Sequence, residues 1–103
     1  MAIIINKEIN TDLLGPVNNL YSRVYAEQHH NGSEIGIMTP CFASKAAYKA
    51  GARVIHNILG PFTIPYNRLT DGTDVLMLAH NAVRQQLIEQ GIATESEITT
   101  ELD

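Results

Sequence analysis

The chain has 103 residues, 45% hydrophobic and 17% charged, which suits one domain with a modest core and excludes a disordered chain. Its net charge is −4 and its arginines (Arg23, Arg53, Arg68, Arg84) are scattered, so it carries no basic footprint for nucleic acid. A single cysteine excludes an internal disulfide, and no apolar run approaches the roughly 20 residues of a membrane span or the charged flank and apolar stretch of a signal peptide.

The chain opens with Ala2–Ile5, rich in β-branched residues and expected as a short strand or extended arm within a leading segment 1–19. "NTDLLGPVNN" follows as a turn-bearing connection broken at Gly15-Pro16. Residues 20–30 alternate, with Leu20, Ser22, Val24 and Ala26 on one face and Tyr21, Arg23, Tyr25 and Glu27 on the other. Asn31-Gly32 then signals a hairpin turn. The return strand places Ile35, Ile37, Thr39, Cys41 and Ala43 on one face, and Pro40 predicts an edge position or a bulge near its end.

Ser44 is placed to cap a short helix over "KAAYKA", with Gly51 just past its end. "ARVIHNIL" alternates as a further strand, Gly60-Pro61 interrupts it, and "FTIPY" is a short continuation. The longest helix is expected to start at Asp71-Gly72 or Thr73 and to end at Gly91. Val75, Leu78, Ala79, Ala82, Val83, Gln86 and Leu87 share its apolar face. Residues 92–103 read as a short, acidic, mobile tail with a capping-box pattern at Thr94 and Glu97. The outline predicts a single α+β domain, its core at 20–91. A small antiparallel sheet would pack one face on the long helix and leave the other, bearing Tyr21 and Tyr25, open.

Candidate chemistry is sparse. Cys41 lies three residues before the helix cap, where a thiolate could be stabilised, yet it shares the apolar face of Ile35 and Ile37 and is expected in the core. Glu27 and His29 sit on one strand face at ligand spacing, with no third ligand to complete a metal site. His56 and His80 lack helical metal-ligand spacing and are expected at the surface or an interface. Asp71 and Asp74 suit a turn leading into a helix cap better than a calcium loop. Neither a phosphate-binding glycine loop nor a base–nucleophile–orienter set is present, so no catalytic, metal or cofactor residues are assigned.

The order strand, Asn-Gly turn, strand, "SKAAYKAG", strand, Gly/Pro turn and long helix resembles small virion-associated proteins of tailed bacteriophages and prophages. Ser44, Lys45, Ala46, Ala47, Tyr48, Ala50 and Gly51 carry the resemblance, which covers roughly residues 20–90 of the chain, and the N-terminal segment departs from it. That resemblance implies a virion setting in the tail region after synthesis in host cytoplasm, with repeated copies and other virion proteins as partners, and no catalytic residues. The expected contact set is Ile3, Ile4, Ile5, Tyr21 and Tyr25. Two other classes fit the sequence. One is a small enzyme or ligand-binding protein using Cys41, His56 or the Glu27/His29 pair; the other is an acidic regulator of a host protein.

Overall fold

The structure is a computed structural model that describes residues 1–28, 33–71 and 74–101. It is an α+β fold whose strands run Ala2–Ile5 (β1), Ile9–Thr11 (β2), Gly15–Val17 (β3), Leu20–Arg23 (β4), Tyr25–Gln28 (β5), Glu34–Met38 (β6), Pro40–Phe42 (β7), His56–Asn57 (β8), Phe62–Pro65 (β9) and Ile98–Glu101 (β10). The helices are Lys45–Lys49 (α1), Arg68–Asp71 (α2) and Val75–Glu89 (α3). All pairings are antiparallel. A five-stranded sheet has the order β10-β1-β4-β7-β8, a three-stranded sheet has β5-β6-β9, and β2 with β3 forms a separate hairpin.

The expected hairpin is present but bent. Ser22 pairs with Cys41 before the bend and Tyr25 with Met38 after it, so the register is continuous and Val24 stands opposite Thr39. Each strand therefore leaves one sheet and enters the other at the same level. The backbone chemistry accounts for the break. Val24 N–H donates to the Met1 carbonyl at 3.4 Å, and Pro40 has no N–H to give a ladder. Thr39, 1% exposed, turns its hydroxyl to Leu59, donating to its carbonyl at 3.0 Å and accepting from its N–H at 3.2 Å. One side chain thus satisfies both backbone groups of a buried residue where the third strand is also interrupted, between β8 and β9.

Period-two alternation in β1 serves two clusters. Ile3 and Ile5 join Val24, Ile35, Ile37, Ala79, Val83, Leu87 and Ile98 on the side covered by α3. Ala2 and Ile4 join Tyr21, Phe42 and Tyr48 on the opposite side, under α1. Each fully buried isoleucine stabilises the fold by about 1.5–3 kcal/mol. The helical stripe of α3 matches expectation, with Ala79, Val83 and Leu87 buried and Val75, Leu78 and Ala82 packed at its margin. Asp74 caps it by accepting from Met77 N–H at 3.0 Å, and Gly91 leaves it at φ +70°. Ser44 caps α1 through Ala47 N–H at 3.0 Å, and Gly51 at φ +80° ends it.

Several expectations are corrected. Ala2–Ile5, expected as a short strand or an extended arm, is a strand, but an inner one bonded to β4 on one side and β10 on the other. The segment read as a mobile acidic tail supplies β10, preceded by a 3-10 turn at Glu95–Glu97 where the Glu97 carboxylate accepts from Thr94 N–H at 2.8 Å. The connection at 10–19 is itself the β2–β3 hairpin, opened by Gly15 at φ +64°. Only His56 and Asn57 of "ARVIHNIL" pair as a strand. The Asn31-Gly32 turn, His29 and the proposed helix starts at Gly72 and Thr73 lie outside the described residues.

Candidate functional site

Of the expected contact set, one residue remains open. Ile3 and Ile5 are fully buried, Tyr21 is buried, and Ile4 is half-buried in the Tyr21 cluster. Three long-range events cause this, the first being the packing of α3 over Ile3 and Ile5. The 98–101 segment fills the free edge of β1, and α1 folds over the outer face of the main sheet. Lys45 on α1 also forms an ion pair with Glu101 on β10, tying that cover to the last strand. Tyr25, 45% exposed, keeps the open position expected of it.

Tyr25 stands at one end of a groove on the outer face of the three-stranded sheet. The register builds this groove. Tyr25 lies directly across from Met38, and Glu27 lies across from Gly36, which in turn faces Thr63. Residues directly opposite in antiparallel strands project to the same face, so Gly36 contributes bare backbone between Glu27 and Thr63. Tyr25, Met38, Glu27, Thr63 and Pro61 wall a depression of about 320 Å³ over that glycine. Met38 is 52% exposed, and the lining is mostly apolar with one carboxylate, Glu27.

The tyrosine end of the groove continues into an aromatic cluster around Arg23. The Arg23 guanidinium lies 4.9 Å from the centre of the Tyr48 ring and donates from Nη1 to the Tyr21 hydroxyl at 3.1 Å. Tyr48 in turn packs against Phe42, ring centres 4.9 Å apart, and against Tyr21 at 5.7 Å. The Tyr25 phenol is pushed above its ordinary pKa by burial first and by Tyr48 second, while Arg23 pulls it the other way. The open face is thus anchored on a packed, charge-containing cluster rather than on a loop.

The residues suspected of catalysis are arranged differently. Cys41 pairs directly with Ser22 on one side and with His56 on the other. His56 Nδ1 lies 3.2 Å from a carboxylate oxygen of Asp12, at the tip of the β2–β3 hairpin. Thiol, imidazole and carboxylate therefore occur in one row, a juxtaposition no sequence spacing indicates. Cys41, however, is fully buried and directs its Sγ to the Thr39 carbonyl at 3.4 Å. Burial pushes its thiol pKa up, against weaker opposing effects of Ser22 and the Ile58 backbone. A nucleophilic cysteine needs an accessible thiolate, and this environment disfavours one.

His80, expected at the surface or an interface, is 2% exposed in α3, and its Nε2 has no hydrogen-bond partner among the described residues. Burial and then Arg84, one turn along, hold its pKa below the ordinary value, with the Met1 ammonium acting weakly in the same sense and a backbone acceptor at Ala2 opposing them. Asp71 accepts from Asn67 N–H at 2.8 Å and, like Asp74, serves as a local cap. Among the described residues no three His, Cys, Asp or Glu side chains gather as a metal site, and no helix is long and apolar enough to cross a membrane. Comparison with family models, with curated proteins and with solved structures finds no match to this chain.

Proposed function

We propose that this chain is a non-enzymatic structural or adaptor subunit of a tailed-phage particle, acting in the tail, baseplate or neck as a homo-oligomer. The observation that carries the assembly role is the uncovered apolar groove between Tyr25 and Met38, set on a rigid sheet and lined by one carboxylate. A surface of this kind loses little conformational freedom when a partner covers it, because all its walls but Pro61 are strand residues held in register. The phage setting rests on the resemblance of "SKAAYKAG" and the elements around it. Within the fold that motif builds the cover of the main sheet, since Ser44 caps the helix that places Tyr48 over Tyr21 and Phe42.

Mass spectrometry of purified particles from the phage that encodes the chain, with light scattering of the isolated protein, tests this reading. The expected result is the chain in the particle at multiple copies and self-association in solution. A stable monomer that is absent from particles overturns it.

A further inference from the structure

We infer that the groove receives the segment Lys49–Val54 of a second copy of this chain, an inference that rests on the homo-oligomer reading above. The groove offers apolar walls, an aromatic ring and the Glu27 carboxylate, which has no ion pair or side-chain hydrogen bond to a described residue. Such a lining suits a basic side chain, whose aliphatic stem lies along Tyr25 and Met38 while its charge meets Glu27 and the tyrosine ring.

The same chain presents a segment of that chemistry. From the last residue of α1 onward, residues 49–54 are all exposed, and they combine Lys49 and Arg53 with Val54, which is 40% exposed. Neither cation has an ion pair among the described residues, whereas Lys45 is held by Glu101 and Arg84 by Thr100 and Glu95. A competing apolar projection is the β2–β3 tip, where Leu13 and Leu14 are 58% and 56% exposed. Its flanking charge is Asp12, which would approach Glu27 with like sign. Charge complementarity therefore selects the 49–54 segment over the hairpin tip. Every copy carries one groove and one segment, so each subunit both gives and receives.

The test uses the full chain in sedimentation velocity over a concentration series at low and high salt. The wild type is expected to self-associate, more weakly at high salt. Glu27→Lys, and separately the double change Lys49→Glu with Arg53→Glu, should each weaken association about tenfold or more. An equimolar mixture of the two should restore it, because the swapped charges again meet with opposite sign. Lys7→Glu, a change at an exposed lysine that belongs neither to the groove lining nor to residues 49–54, should leave association as in the wild type. Thermal melts check that each exposed substitution leaves the fold intact.

Wild-type protein that stays monomeric throughout overturns the inference, as do charge variants that associate like wild type. Loss of association in Leu13→Asp with Leu14→Asp, but not in the charge variants, assigns the contact to the hairpin tip and also overturns it. Particle incorporation separates the two levels. Association through another surface by a chain found in particles refutes only this contact. Charge-swap behaviour in a chain absent from particles refutes only the phage setting.

Discussion

Replacing Thr39 with valine tests whether its hydroxyl stabilises the bend that divides the sheet in two. The side chains are nearly equal in shape, so the change removes chemistry and leaves the volume. What is lost is the pair of hydrogen bonds at 3.0 and 3.2 Å to the carbonyl and N–H of Leu59. Both partners are backbone groups in a region where Thr39 is 1% and Leu59 is 4% exposed, so water does not readily replace the hydroxyl. An unsatisfied buried polar group costs roughly 1–3 kcal/mol, so losing both is expected to cost about 3 kcal/mol after relaxation. With total stabilities of about 5–15 kcal/mol, that is a large share. At about 4–8 °C per kcal/mol for a domain of this size, Tm should fall by roughly 12–24 °C. Thr39→Ser keeps the hydroxyl and removes one methyl group, so it should cost only about 1 kcal/mol. Urea denaturation followed by circular dichroism, with unchanged m values, measures both. Thr39→Val within about 0.5 kcal/mol of wild type, or Thr39→Ser as damaging as Thr39→Val, refutes the argument.

Two further outcomes are expected from buried titratable groups. His80 is neutral in the fold, with a pKa below its ordinary value of about 6.5, so the unfolded chain takes up the proton first as pH falls. Its contribution is therefore fully present above about pH 6.5 and is lost as pH drops through the folded value; His80→Leu should flatten that part of the stability profile, and an unchanged slope contradicts the assignment. Cys41, buried with a raised thiol pKa, should react with a maleimide at neutral pH only as fast as the protein opens, and rapid labelling of the native chain contradicts core packing.

The candidate groove was only partly legible in the sequence. Alternation put Tyr25 on an outer face, and that placement holds because a period of two is a local property. Tyr21 obeyed the same alternation but is covered, by Tyr48 from α1 and by Phe42, its cross-strand partner on β7. Met38, Thr63 and Pro61, the last just before β9, come together only through the pairing of β6 with β5 and β9. Gly36 is visible as a glycine, but its role as floor requires knowing that Glu27 and Thr63 flank it. For His80 the helical stripe gave no warning, because β1 packs beside a helix face wider than the apolar residues alone mark out.

What the sequence by itself determined were the features governed by interactions a few residues apart. These are the Ser44 cap, the left-handed glycines at 51 and 91, the apolar stripe of α3 and the outer–inner alternation of the hairpin strands. Each follows from dihedral preference or helix and strand periodicity, which the chain expresses whatever lies around it. Tertiary structure decided the rest: the bend at Val24 and Thr39, the insertion of β1 between β4 and β10, and the covering of one outer face but not the other. Alternation is the same for one straight strand as for two strands sharing a bend, and an apolar strand carries no mark of which edge will fill beside it. Those choices depend on residues 20 to 93 positions apart meeting in space, as Thr39 meets Leu59 and Asn6 meets Thr99.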